Sequence, residues 1–218
     1  MQVQLTTALL LFTLPVFSIL VPLIQDLADR IGSRLMVGYW SIAGLLVTLG
    51  GIILLLFQGV PTTQVVLGVL SIDSFSVYFA AVFVLVTLLI AISSMYYMRD
   101  DENFGTYFGL LILGTFGMML VAFSVDLIAL FLAWELMNVP SYVLTGIHKR
   151  DPTSNEAAIK FFIISALSSA LIIYAISLVY GITGTTNIYL VARAMQTALP
   201  QLNAIALLAM VLFIAGLV

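Results

Sequence analysis

The sequence predicts an all-α polytopic membrane protein with an antiporter-like bundle of helices, and three observations carry that prediction. Of its 218 residues, 63% are hydrophobic and 8% are charged, against roughly 45–50% and 25% in an ordinary soluble domain. Several apolar runs exceed the ~18 residues that mark a membrane-spanning helix. Most of the charges fall in the connections between those runs, QDLADRIGSR, MRDDENFG and HKRDPTSNE.

Composition also excludes several functions. Without cysteine the chain holds no disulfide, no iron–sulfur cluster and no thiolate metal site. A single histidine, His148, excludes a bis-histidine haem within the chain. Electron transfer, if there is any, belongs to a partner. The net charge of −3 indicates no partner, and no basic patch points to nucleic acid.

Hydropathy gives seven apolar segments, at about 6–24, 38–57, 75–97, 105–123, 124–146, 156–180 and 203–218. The first lacks a basic flank and a small-x-small cleavage site, so it reads as a retained helix rather than a signal peptide. Pro15 and Pro22 should bend it. The link QGVPTTQVVLGVLSIDSF alternates apolar and polar residues, as a short hairpin or interfacial strand would. Asp73 in SIDSF reads as a helix cap. Only Ser124, Val125 and Asp126 separate the fourth segment from the fifth. Their joint length of about 42 residues is near twice the ~20 needed to cross, which favours two helices. Asp126 itself reads as an N-terminal acid favoured by the helix dipole. The seventh segment, NAIALLAMVLFIAGLV, stops while still apolar, and the chain is expected to be a fragment of a longer one.

Arg30, Arg34, Arg99, Lys149 and Arg150 lie in the 1–2, 3–4 and 5–6 connections, with only Arg193 opposite. The positive-inside rule places those three loops in the cytoplasm and the N-terminus outside. A prokaryotic plasma membrane is the expected location.

One ionisable group interrupts the fifth segment. In LIALFLAWELMNVPSYVLTG, Glu135 follows seven apolar residues and sits close to mid-membrane. Intramembrane ionisable groups are rare and mark ion or proton paths. A carboxyl group is apt, because burial disfavours its charged form and brings proton loading toward neutral pH. Asn138 and Tyr142, three and seven residues on, extend a polar stripe. Pro140 frees the carbonyl of Leu136, which could hold water beside the carboxyl group. A neutral acid that staples two helices is the alternative role. Lys160, at the start of the sixth segment, is the candidate partner, although rise counting sets it roughly 10 Å nearer the membrane edge. It could equally snorkel to the interface. Tyr174 returns polarity to its face, and Ser165, Ser168 and Ser169 lie on a neighbouring one. His148 reads as an interfacial loop residue. GITGTTN lacks the lysine and preceding strand of a phosphate cradle.

FLAWELMNVPSYVLTG, followed by SNEAAIKFFIISALSSALIIYAISLVYGITGTTN, resembles the antiporter-like membrane subunits of respiratory complex I, and the N-type branch in particular. The resemblance implies about fourteen helices around two inverted five-helix repeats, about seven of them present here. Residues 1–103 would hold three N-terminal helices with a hairpin near 60–74, and 104–218 an incomplete first repeat. It also implies roles. Glu135 and Lys160 would belong to a chain of ionisable groups that carries protons, with Asn138, Pro140, Tyr142, Ser168 and Tyr174 in support. The driving chemistry, with flavin, iron–sulfur clusters and quinone, would reside in partner subunits. The partners implied are other membrane subunits, further antiporter-like chains and the lipid bilayer. A sodium/proton antiporter subunit, or a scaffold whose buried charges fix helix packing, are the competing functions.

Overall fold

A computed structural model describes residues 13–21, 35–59, 64–66, 68–197 and 203–217. Helix α1 (13–21) is followed by α2 (Leu35–Gln58), β1 (Gln64–Val66), β2 (Leu70–Ile72), α3 (Ser74–Tyr97) and α4 (Phe104–Phe123). After these come α5 (Leu127–Thr145), α6 (Pro152–Thr183), α7 (Ile188–Thr197) and α8 (Asn203–Leu217). Helices α2 to α6 are each long and apolar enough to cross a membrane, and α8 is shorter but apolar. Residues 1–12 and 22–34, with Pro22, Arg30 and Arg34, lie outside the described residues, as does Val218.

Local chemistry sets the boundaries. Asp73 caps α3 in a capping box: its carboxylate accepts from the Ser76 amide at 2.8 Å, and the Ser76 hydroxyl accepts from the Asp73 amide at 2.9 Å. The fourth and fifth segments are two helices. Ser124 to Asp126 leave the helical conformation, and the Asp126 carboxylate accepts from the amides of Ile128 and Ala129 at 2.9 and 3.1 Å. Between α2 and α3 the chain makes an antiparallel hairpin, Gln64 opposite Ile72, turning at Gly68 with φ 75°.

The hydropathy reading differs most from the structure at α6 and in the connection that follows it. α6 begins at Pro152 rather than 156, because Asp151 caps it and proline is preorganised for the first turn. It ends where Gly184 adopts the left-handed conformation at φ 68°. Its 32 residues extend about 48 Å, well beyond a ~30 Å hydrocarbon core. There is also an eighth helix, α7, inside the connection GITGTTNIYLVARAMQTALPQ. It is ten residues long and amphipathic, with Ile188, Val191 and Met195 on one side and Arg193 and Gln196 on another. A hydropathy window passes over so short and mixed a segment.

The core sits among α1, α2, α3 and α4. Leu45, Val84, Phe104, Phe108, Ile112 and Met119 are all buried there. Polar ties cross the same interfaces: Thr87 to Thr115 at 2.8 Å, Ser94 to Tyr107 at 2.8 Å, and the Ser18 hydroxyl to the Gly109 carbonyl at 2.9 Å. Such packing and bonding hold helices together where lipid offers no hydrophobic contrast. From α4 the chain continues outward, α5 on α4, α6 on α5, and α8 on α6.

Candidate functional site

The helices place their polar groups at three levels. At one end, the α3–α4 and α5–α6 loops meet around an open cleft lined by Glu102, Asn103 and Ile147 to Asp151. There Asp101 lies 3.7 Å from His148, and the Asn155 amide donates to the Lys149 carbonyl at 2.8 Å. His148 is thus a loop residue whose imidazole faces the neighbouring loop. At the other end, the hairpin, the α4–α5 turn and the α6–α7 loop come together. Glu135 lies between these ends, half-buried near the middle of α5.

Its partner is Ser169 on α6, whose hydroxyl donates to the Glu135 carboxylate. Sequence reasoning set Ser168 among the supporting residues, one position away from the serine that makes the bond. A 3.6-residue period turns adjacent side chains by about 100°. The Ser168 carbonyl instead lies beside Gly216 of α8, 2.8 Å from where a β-carbon would stand.

Lys160 does not pair with Glu135. Its ammonium group meets Glu156 one turn earlier on α6, at 2.5 Å, and both side chains are about two-thirds exposed. The α5–α6 register explains this. Gly146 packs on Ala158, Tyr142 meets the rings of Phe161 and Phe162 edge-on at 5.1 and 5.7 Å, and Glu135 meets Ser169. In that antiparallel register Lys160 stands level with the last turn of α5. It is nine residues from Ser169, about 13 Å along the axis.

The other polar candidates are scattered. Asn138 is half-buried one turn from Glu135, and its side chain makes no hydrogen bond among the described residues. Tyr142 is held by the two phenylalanine rings, and Tyr174 is 54% exposed on α6. Pro140 is buried, with its ring 3.7 Å from where a β-carbon on Gly114 would stand.

Two features beside Glu135 were not singled out from the sequence. Gly117 on α4 touches the α5 backbone immediately after Glu135; a β-carbon there would fall 2.5 Å from the Met137 nitrogen and 2.9 Å from the Leu136 carbonyl carbon. Such close approach is what a small residue in a membrane helix permits. The turn whose carbonyl Pro140 frees is therefore pressed against α4. Between Glu135 and the Asp126 end lies a cavity of about 170 Å³ lined by hydrophobic side chains alone, among them Leu130, Phe131, Trp134, Ile172, Ile176 and Phe213. The pocket is partly open, and its lining offers water no polar partner.

Comparison with known proteins fits this arrangement. Residues 124–218 match the family described as "NADH:quinone oxidoreductase/Mrp antiporter, TM", and residues 63–108 match "NADH-Ubiquinone oxidoreductase (complex I), chain 5 N-terminus". The chain is 37% identical to F(420)H(2) dehydrogenase subunit N of Methanosarcina mazei over 81% of its own length and 36% of that protein's. It is 32% identical to NADH-quinone oxidoreductase subunit N 2 of Koribacter versatilis, over 94% of the chain and 42% of the relative. The chain thus spans about two fifths of the length of these curated relatives. In fold it matches a chain of respiratory complex I from Thermus thermophilus, with a TM-score of 0.72 at 24% identity, covering 95% of this chain and 43% of that one. The chain belongs to the antiporter-like membrane subunits that NADH:quinone oxidoreductases and Mrp antiporters share, and the curated relatives it matches over about two fifths of their length carry the name subunit N.

Proposed function

We propose that the chain is part of a proton-translocating membrane subunit of a complex I-type oxidoreductase, with Glu135 as the group that loads and releases the proton. The observation that carries this is the Glu135–Ser169 hydrogen bond mid-helix, with the polar loop cleft toward one end of α5 and a partly open apolar pocket toward the other. Redox chemistry takes place in partner membrane and peripheral subunits that hold flavin, iron–sulfur clusters and quinone. Other antiporter-like chains and the lipid bilayer surround this one.

On this reading the proton reaches Glu135 from the α5–α6 loop side, where Asn138 and Tyr142 follow it on α5 and Lys160 and Glu156 stand level with the end of α5. Pro140 and Ser168 are its supporting neighbours, and Tyr174 lies beyond Ser169 toward the Asp126 end. Arg99, Lys149 and Arg150 lie on the α5–α6 loop side and Arg193 on the other, so the loop side faces the cytoplasm. Toward the opposite face the apolar pocket offers a leaving proton no polar partner. Moving one proton against 100 mV requires about 2.3 kcal/mol. A rearrangement that breaks or makes one buried hydrogen bond to a charged group is of that order.

Glu135→Gln in the full-length protein, assembled in its complex and reconstituted into vesicles, is expected to leave assembly and quinone reduction measurable while abolishing proton translocation through this subunit. An unchanged proton stoichiometry sinks the proposal. A sodium/proton antiporter subunit is the second reading, favoured by the Mrp branch of the matched family. Purification of the intact complex separates the two: flavin and iron–sulfur absorbance in the purified material excludes the antiporter.

A further inference from the structure

Asp126 is the only charged side chain among the buried described residues, at 9% exposure, and nothing so far gives it a part in proton transfer. Its surroundings are more than a helix cap. One carboxylate oxygen accepts from the amides of Ile128 and Ala129, which begin α5. The other accepts from the hydroxyl of Thr186, in the loop that leaves α6. The backbone on either side is tied as well. Leu127 donates to the Thr186 carbonyl at 2.9 Å, Ile188 donates to the Val125 carbonyl at 2.9 Å, and the Val125 amide donates to Val69 of the hairpin at 2.9 Å. Residues 124–126 therefore lie as an extended strip between the hairpin and the α6–α7 loop, with bridges Leu70 to Ser124 and Asp126 to Asn187.

We infer that Asp126 is a positioning residue for the proton site: its carboxylate clamps the start of α5 to the end of α6 and so fixes the distance between Glu135 and Ser169. The inference rests on the proposed role of Glu135. Along their length α5 and α6 are held by few polar contacts. They are Asp126 with Thr186 at one end, Glu135 with Ser169 in the middle, and the Ser154 hydroxyl on the Thr145 carbonyl at 2.8 Å at the other. Packing between them is slight, since α5 buries only Ala133 and Pro140, and α6 only Ile172, Ala175 and Ile176. Loss of the Asp126 carboxylate leaves that end to the backbone bonds Leu127–Thr186 and Ile188–Val125, and shifts more of the register onto the Glu135–Ser169 and Ser154–Thr145 contacts.

Other charges do not substitute for this. α4 carries no charged residue, only Tyr107 as a titratable group, and α5 carries only Glu135 and Tyr142. The charges of α6 are Glu156 and Lys160 at its far end, with Tyr174 and Tyr180 beyond Ser169. On the Asp126 side, the charged groups of the flanking elements are Asp73, already committed to capping α3, and Arg193 on α7.

The test is the pH profile of proton translocation by the full-length protein in its assembled complex, in vesicles. Asp126→Ala is expected to move the midpoint of that profile by about one pH unit, and Asp126→Asn, which keeps a cap and a partner for Thr186, to restore it. Thr186→Val removes only the side-chain bond from the α6–α7 loop to Asp126 and leaves both the cap on α5 and the Leu127–Thr186 backbone bond, so it decides the matter even where Asp126→Ala fails to assemble. A shift in the same direction supports the clamp. A Thr186→Val profile that superimposes on the unaltered one overturns it. Glu135→Gln measured in parallel keeps the two ideas apart: if that variant translocates normally the proton-site reading fails, and if it is inactive while Thr186→Val is unmoved only the clamp fails.

Discussion

The two halves of the chain are built on different terms. α2, α3 and α4 bury a third or more of their membrane-spanning length, whereas α5 and α6 bury about half that share, 17% each. Leu45, Phe104, Phe108 and Met119 are buried in the first half. The second half presents Leu132, Val139, Ile163, Ile164 and Leu167 to its surroundings. In lipid, exposed apolar side chains carry no penalty, so exposure alone is no defect. The lesson lies in where the ionisable groups fall. The described spans of the tight half hold no Asp, Glu, Lys, Arg or His, whereas α5 holds Glu135 and α6 carries Glu156 and Lys160 near its start. A helix that must alter the surroundings of a carboxyl group cannot be locked by a full core on every side.

The sharpest way to break this comparison is to damage each half and compare the losses. Phe108→Ala, at a fully buried position, is expected to destabilise the protein by on the order of 3 kcal/mol, since the neighbouring helices collapse only partly into the cavity. Thermal unfolding in detergent or lipid discs measures it. A loss below 1 kcal/mol would mean that the first half is no scaffold. Gly117→Ala comes next, because it sits on the seam. The added methyl group meets α5 backbone rather than a flexible side chain, so α4 and α5 must separate. The expected loss is about 1–3 kcal/mol, with proton translocation impaired beyond what the stability change explains. Normal translocation would show that the spacing at Leu136 and Met137 does not matter to Glu135.

The helices and the isolated carboxyl group were legible because both are one-dimensional signals, a run of apolar residues and its single interruption. The cap at Asp126 was legible for a similar reason: an acid before an apolar run has one common use. What stayed hidden depended on register. A serine pair at 168 and 169 gives no hint of which hydroxyl meets a carboxylate on another helix, and one step along the chain decides it. Rise counting already set Lys160 nearer the membrane edge than Glu135; what it did not show was that the ammonium group pairs with Glu156 on its own helix. Gly117 was silent because a glycine reveals its purpose only when the backbone opposite is known. α7 was missed because its ten residues alternate faces too evenly to raise a hydropathy average.

Lys160 gives the smallest effect and the closest test of how far the loose half reaches. Its pair with Glu156 is exposed and one turn apart on the same helix, an arrangement that contributes about 0.3–0.5 kcal/mol. Lys160→Gln should therefore leave thermal unfolding nearly unchanged. Its effect on Glu135 is set by distance. Across about 13 Å a unit charge contributes roughly 0.3 kcal/mol in water and about 1.3 kcal/mol at the effective dielectric of a protein surface. The translocation rate should accordingly fall by between about two- and ninefold. That is well short of the loss expected for Glu135→Gln. Abolition equal to that of Glu135→Gln would mean that Lys160 leaves Glu156 and reaches the carboxyl group during turnover. The boundary position found for it would then be one stage of a larger movement, and α6 would be the moving element of the site.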